Sequence, residues 1–570
     1  MENLTNHQSF GSMPPAVIEY IDSVIKSMRY CKAVRQDVRA ELEAHFEDAL
    51  TDCTGPHEHE AAIQEMIEAF GDVRFLARLI RRAKKRGRPA WQRAVIRAAQ
   101  VSGVLLLYVV LCTSRLFIGA PVISVDYIDR INQAVRQDRP EALNAREDIV
   151  EAIACLPEPP KNLLVSAVKD MNDLDRQALE EYLPRCEKAF SCLRAASDKP
   201  FYWNHYDSID TSLLEGIPTA DDPWAYSTEL SEQFMAPLRD IRMLGMTMRC
   251  QIDWDCERAM YDKALQNSVA LIQLGRHLSG TGLLCEELVG VAITGLGTGS
   301  IRRVLDEGQF NESVLAHTYT QLAHILQPDT PWITFEAEKA LYHDLIQRCF
   351  TDNGRGNGRL LRTGVPLAAK YSAQGLRNLV LFDLPDRRKV TRQIDALFET
   401  IGHCSHTRTP WMQFQSQSER PLPGSSILDV AMLKRIADIC WRLRTSNEAI
   451  LAIVAIKHYK KSKGMLPDSL HDLVNTGVMT ALPIDFYSDG PLGYMRTKEG
   501  FILYSRGKDL KDDGGAPAVT ESGKPHQYGE HGDWIFWPVT VGADKPSVPQ
   551  AAAQSDKKVA LEAARPLNHR

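Results

Sequence analysis

The densest group of potential ligands or nucleophiles in the long carboxyl-terminal part of the chain is His403-Cys404-Ser405-His406. Two imidazoles and a thiol suit a borderline metal, but a closed site needs further ligands from elsewhere in the fold. A catalytic Cys-His pair needs facing side chains and an orienting acid, which adjacent residues seldom provide. Glu41 and His45 stand one helical turn apart, and His57-Glu58-His59-Glu60 strings four potential ligands together. No Cys/His quartet at zinc spacing completes either set, and acids at a helix start also answer the positive end of the helix dipole. Gly295-Leu296-Gly297-Thr298-Gly299-Ser300 resembles a phosphate loop, but Ser300 stands where the third glycine of GxGxxG belongs and the preceding ELVGVAIT reads as helix. Small residues for close helix packing are the better account. Gly354–Gly364, GRGNGRLLRTG, is a basic loop without the Lys-Ser/Thr ending of a P-loop. Neither GxSxG nor HExxH occurs, so no residue is assigned a catalytic role.

Asp198–Tyr226 is rich in aromatic residues and punctuated by proline. Phe201, Tyr202, Trp203, His205, Tyr206 and Trp224 have the amphipathic rings that line binding clefts, and equally those of a long connector packed across a helical body; the connector reading is preferred. Of twelve cysteines none forms a CxxC pair, and a chain this long needs no disulfide framework. Isolated buried thiols are expected.

The elements that position these residues begin with a membrane helix. Nine basic and no acidic residues lie between Arg78 and Arg97, just before the apolar run Ala98–Ser114. With Arg115 snorkelling, the span over 98–118 reaches the length a bilayer requires. The far flank, Leu116–Val135, has one basic residue, Arg130, against Asp126 and Asp129. The positive-inside rule therefore puts the N-terminus in the cytoplasm and the C-terminal bulk outside, with the chain in the cytoplasmic (inner) membrane. The first 15 residues contain no apolar h-region, so no cleavable signal peptide is expected and the span acts as an uncleaved anchor. Besides the lipid bilayer itself, the basic segment 84–97 has anionic lipid headgroups as its expected partner. A net charge of −6 carries no nucleic-acid signature.

Residues 14–83 read as three or four short helices forming a cytoplasmic helical domain. Val17, Tyr20, Ile21, Val24, Ile25 and Met28 make one stripe; Val34, Val38, Leu42, Phe46 and Leu50 make a second. A third helix carries Ile63, Met66, Ile67 and Phe70 to a stop at Gly71, and a fourth carries Phe75, Leu76, Leu79 and Ile80. The stretches IEYIDSVIKSM (18–28), VRAELEAHFEDAL (38–50), EAAIQEMIEAFGD (60–72) and FLARLI (75–80) resemble the HAAS signalling, or permease prefix, domain. That resemblance implies a cytoplasmic interaction or sensing module joined to a membrane part, with protein partners not named by the sequence.

From 124 to 445 the pattern predicts an irregular α-helical exported domain, with helices over 141–155, 160–170, 174–194, 228–247, 254–279, 283–305, 311–326, 334–350, 386–402 and 426–444. Segments 228–247 and 254–279 read as a pair joined by a polar turn around Asp253-Trp254-Asp255. Residues 447–540 then form a small α+β C-terminal module: a helix through Tyr459, a short helix SLHDLV (469–474), and strands Gly493–Arg496, Phe501–Ser505 and Trp534–Trp537. The tail 541–570, rich in Ala, Lys, Pro and Gln, reads as disordered. The overall fold class is mainly α.

The segments AIVAIKHYKKSKGMLPDSLHDLV (452–474), LPIDFYSDGPLGY (482–494), FILYSRGKDLKDDGG (501–515) and GDWIFWP (532–538) resemble the C-terminal part of type II secretion major pseudopilins. The membrane helix lies far upstream and lacks the pilin leader, so a borrowed fold is expected rather than filament assembly. The resemblance implies calcium near an Asp-rich loop, with Asp509, Asp512, Asp513 and Asp533 as candidate ligands; hard oxygens in a Gly-rich turn suit that ion. No other cofactor is expected. The leading functional expectation is a single-pass membrane protein coupling a cytoplasmic interaction module to a large exported helical domain. The alternatives are a component of a secretion or envelope assembly apparatus and an exported enzyme of unknown class.

Overall fold

The computed structural model describes residues 13–51, 56–86, 90–160, 163–164, 168–206, 223–280, 282–327, 330–362, 386–406, 430–488 and 490–539. The fold is mainly helical with one small sheet. The chain divides into two compact units, one through Cys112 and one from Thr113 onward.

In the first unit, α1 (Pro15–Ser27), α2 (Lys32–Thr51), α3 (Pro56–Phe70) and α4 (Val73–Arg86) surround one core. Pro15 opens α1 at the first helical position, where its missing N–H costs nothing. Val17, Ile21, Val24 and Met28 of the α1 face and Val38, Leu42 and Phe46 of the α2 face are buried together, as the two stripes require. Phe46 packs at 5.4 Å against Phe70, with the rings tilted, and edge-on at 6.3 Å against Tyr20. The Phe70-Gly71-Asp72 turn has a physical reason for each residue. Phe70 joins the ring cluster. Gly71 adopts φ +73°, ending α3, and its carbonyl accepts from the Tyr20 hydroxyl at 2.9 Å. The Asp72 carboxylate accepts from Phe75 N at 2.8 Å and caps α4. The α4 stripe is rotated from expectation: Ala77 is buried while Phe75 and Leu79 are exposed. A long helix, α5 (Ala90–Leu116), follows.

The second unit holds α6 (Tyr127–Arg136), α7 (Arg146–Ala154), α8 (Asp173–Tyr182), α9 (Glu187–Ser197), α10 (Pro223–Glu257), α11 (Tyr261–His277), α12 (Leu284–Glu307), α13 (Glu312–Ile325), α14 (Glu336–Cys349), α15 (Arg387–His406) and α16 (Val430–Lys463). Asn172 and Asn311 cap α8 and α13 by accepting from Asp175 N and Val314 N, each at 2.9 Å. The single helix expected over 174–194 is split by a 3₁₀ turn at Leu183–Cys186, where Pro184 withholds a backbone donor. Helices α10, α11 and α12 pack side by side as the centre of the body. The α11–α12 approach depends on glycine. A methyl on Gly297 would sit 2.5 Å from Ile272 Cγ1, and one on Gly275 would sit 2.6 Å from the Gly290 carbonyl oxygen. The run 295–300 is thus a packing surface inside α12, with no strand before it.

Two expectations about this body are corrected. Asp253-Trp254-Asp255 is not a turn. It continues α10, which ends at Glu257, and the chain reverses over 258–260. Both aspartates are buried: Asp255 accepts from Gln251 Nε2 at 2.7 Å, and Asp253 pairs with Arg303 and, at 3.5 Å, Arg249. Secondly, the boundary placed near residue 446 falls inside α16, and one hydrophobic core runs from Ala145 to Trp537. The helices expected over 426–444 and from 447 to 459 are one, because Ala449–Ile456 is buried without interruption and no proline or glycine breaks it.

The C-terminal module packs on the later half of α16. Strands β1 (Gly493–Arg496), β2 (Phe501–Ser505) and β3 (Trp534–Trp537) form an antiparallel sheet of order β1-β2-β3. Ser469 and Asp472 make a capping box on α17 (Leu470–Asn475). All of β3 is buried, with Trp537 stacked on Phe501 at 5.5 Å and under the Lys457 ammonium at 4.5 Å.

Candidate functional site

Two described helices are long and apolar enough to cross a membrane. Leu284–Glu307 is the core helix α12, with 61% of its most apolar window buried and a mean hydropathy of 1.2. Ala94–Leu116 has a mean hydropathy of 2.0 and none of that window buried. Val101, Val104, Leu105, Leu106 and Leu111 are all more than half exposed, an arrangement that water penalises and lipid does not. At about 1.5 Å per residue, its 23 residues extend about 34 Å, enough for a hydrocarbon core of about 30 Å. The helix stops at Leu116, two residues short of the end expected at Ile118, and Gly119 turns the chain away at φ +100°. On the amino-terminal side Arg78, Arg81, Arg82 and Arg97 are exposed.

The four candidate calcium ligands share one loop region, but half of their carboxylate oxygens accept from backbone donors. Asp509 accepts from Lys511 N at 3.1 Å and Gly532 N at 3.0 Å. Asp512 accepts from Gly514 N at 3.1 Å and the Tyr504 hydroxyl at 3.0 Å, and lies 3.4 Å from the Arg506 guanidinium. Asp533 is fully buried; one oxygen accepts from Gly515 N at 2.7 Å, and the other has no hydrogen-bond partner among the described residues. Burial raises its pKa, opposed by the Gly515 and Asp513 amides. Asp513 is exposed. Among the described residues no three His, Cys, Asp or Glu side chains converge as a metal site requires. In this conformation the loop is a hydrogen-bonded turn.

The aromatic stretch is a staple across the helical body. Asn144 grips the backbone of Trp203 from both sides, donating to its carbonyl at 3.2 Å and accepting from its amide at 3.1 Å. Asn132 does the same to Tyr206, at 2.8 Å each way. Trp203 and Tyr206 are buried. Residues 207–222 and the Trp224 side chain lie outside the described ones.

The staple closes over a polar cluster that no sequence motif marks. At the start of α12, Glu286 accepts from Leu283 N at 3.1 Å and from the Tyr206 hydroxyl. Its neighbour Glu287 accepts from Thr334 N at 3.0 Å and Thr334 Oγ1 at 2.9 Å. Desolvation raises the pKa of Glu286, of Glu287 strongly, and of Glu338; the neighbouring acids add to the effect on Glu287. His277 lies within 2.9 Å of the Lys199 carbonyl, and burial lowers its pKa to about 4. Arg276 donates to Pro331 O at 2.9 Å and stacks over Trp332; burial lowers its pKa to about 10. Such groups can hold or release protons, but Glu286, Glu287, Tyr206 and His277 are all closed to solvent. The cluster supports the fold rather than a substrate.

The remaining candidates do not form sites. Glu41 is exposed and pairs with Lys84 at 2.6 Å, while His45 is exposed beside it. The side chains of His57 to His59 and of His403 to His406 lie outside the described ones. Cys186, Cys250, Cys256 and Cys440 are buried free thiols, their pKa values pushed by desolvation to about 11, 12, 12 and 12; such thiols are inert. The helical head has an open groove of about 510 Å³, walled by Pro14, Pro15, Ile63 and Ile67 and rimmed by Glu60 and Glu68. In comparisons with protein-family models, curated proteins and solved structures, nothing matches this chain.

Proposed function

We propose that the chain is a single-pass protein of the cytoplasmic membrane that couples a cytoplasmic interaction or sensing head to a large exported helical body. The observation that carries this reading is the Ala94–Leu116 helix, apolar and with none of its most apolar window buried, behind a stretch with nine cations and no acid. The head is α1–α4. Its basic exit lies on the cytoplasmic side, against anionic headgroups, because cations there resist translocation. The head resembles the HAAS family in the residues that make its core and its Phe70-Gly71-Asp72 turn. Its partners are other proteins, of a kind that neither unit identifies.

The alternatives have narrower support. A role in a secretion apparatus rests on the order of motifs in the C-terminal module. An exported enzyme would need reactive groups open to solvent, and the buried carboxylate cluster is closed.

Membrane extraction and a topology map test the proposal together. The full-length protein is expected to resist alkaline carbonate extraction. A reporter active only in the cytoplasm should work when fused before Arg78, and one active only outside should work when fused after Ser124. Release by carbonate, or the reverse reporter pattern, defeats the proposal.

A further inference from the structure

We infer that the body carries a second lipid-binding surface, a basic patch beside the exit of the membrane helix that docks on anionic headgroups of the outer leaflet. This inference rests on the membrane span proposed above.

The chain leaves α5 at Leu116 as an apolar strip in which Phe117, Ile118, Val122 and Ile123 are 63%, 54%, 45% and 50% exposed. The strip is fastened to the body at four points. Arg359 donates to the Ile118 carbonyl at 2.9 Å, and the Arg362 guanidinium lies 5.5 Å from the Phe117 ring centre. Gly119 approaches Thr351 so closely that a methyl there would be 2.8 Å from Thr351 Cγ2. Gln347 binds the next two residues, accepting from Ser124 N at 3.2 Å and donating to Val125 O at 2.8 Å. The loop 351–362 therefore travels with the end of the helix.

That loop is joined in turn to the start of α15. Arg387 N donates to Gly358 O at 2.9 Å, Arg388 donates to Arg355 O at 2.7 Å, and Arg387 pairs with Asp352 at 2.7 Å. Around this junction Arg355, Arg359, Arg362, Arg388, Lys389 and Arg392 are exposed, and none has an ion pair among the described residues. The nearby acids are otherwise engaged: Asp352 with Arg387, Asp386 as the cap accepting from Lys389 N at 2.7 Å, and Asp395 with Lys339 and His343.

Geometry then selects the partner. Each residue advances the chain by at most about 3.6 Å, so Ile118 lies within about 8 Å of the helix end. The headgroup layer is about 5–8 Å deep on each side of the hydrocarbon core. A guanidinium bonded to Ile118 lies at that layer when the helix spans, with cations beside it that have no ion pair among the described residues and exposed apolar side chains on the same strip. Arginine forks match phosphate oxygens, and the apolar strip matches the acyl boundary. A count of charges along the sequence misses this patch, because its cations come from residues more than 200 positions beyond the helix.

The test uses the full-length protein in phosphatidylcholine vesicles with and without phosphatidylglycerol, the latter bearing a photoactivatable headgroup. Crosslinks are expected in peptides covering 351–362 and 386–392, falling at least several-fold with salt. They should disappear in a variant with all six cations changed to glutamine, and persist when the five arginines are changed to lysine. Circular dichroism and melting of both variants confirm that the body is folded. Failure to crosslink these peptides, in protein that still resists carbonate extraction, overturns the docking surface and leaves the span standing. Extraction of the wild-type protein by carbonate overturns the span and the docking surface with it. Equal crosslinking in the glutamine variant assigns contact to the apolar strip and overturns the role of the cations.

Discussion

At the scale of single residues, the buried acids and the buried histidine of the body oppose each other in their response to pH. His277 has a folded pKa of about 4, below its ordinary 6.5, so the folded state binds fewer protons in that window. Its contribution is present above 6.5 and is lost as pH falls toward 4. Glu287 is shifted the other way, well above 4.5. Its contribution is present below 4.5 and is lost as pH rises through the folded value. Glu287→Gln keeps an acceptor for Thr334 and removes the charge. The variant is therefore expected to gain stability over wild type as pH rises, with little difference below pH 4.5. Chemical denaturation across that range measures it; a parallel offset at every pH would contradict the assignment. The Asn144 clamp gives a second expectation. Asn144→Ala leaves the buried Trp203 amide and carbonyl unmatched, at a cost of about 1–3 kcal/mol each before relaxation. Asn144→Asp keeps the acceptor but sets a buried carboxylate against the Trp203 carbonyl and Glu141, so it is expected to be no better than alanine.

At the scale of elements, the tightest constraint is the α11–α12 contact. Gly297→Val places branched carbons where Ile272 and the Ser268 carbonyl already stand. Overpacking of this kind costs about 1–3 kcal/mol, read as a lower denaturation midpoint. Gly295→Ala, which meets nothing within 4 Å, should be tolerated, and its helix propensity gain should offset any loss. Local pattern made some elements legible and not others. All three strands fall where short runs of β-branched and aromatic residues between turn signals put them. The head stripes are legible because a small helical core is built from near neighbours in sequence. Asp253-Trp254-Asp255 misled because two acids read as solvated, whereas Arg303, Arg249 and Gln251 come from other turns and helices to satisfy them. The Glu286–Tyr206 contact joins residues 80 positions apart, and no spacing rule reaches that far. The aspartates around 509–533 are visible as a group. Their use as acceptors for loop amides is set by backbone geometry that composition does not encode.

At the scale of the whole molecule, the cores on either side of the division at Cys112 share no residue. The head is small, and a single core of that size supplies only about 3–5 kcal/mol. Phe46, fully buried between Tyr20 and Phe70, is its central ring. Removing such a ring costs about 3–5 kcal/mol, which consumes the head's whole margin. Phe46→Ala is therefore expected to unfold residues 15–86 while the body keeps its own melting transition. Hydrogen exchange on the full-length protein in detergent separates the two outcomes by peptide. Fast exchange should be confined to α1–α4, with α11, α12 and α16 as protected as in wild type. The core of the body runs continuously from Ala145 through the buried Ala449–Ile456 face of α16 to Trp537. If Phe46→Ala also exposed α11 and α12, the two units would fold as one. If the head stayed protected, its stability would have to come from a partner or the membrane surface, and dilution into lipid-free detergent at high salt would then unfold it.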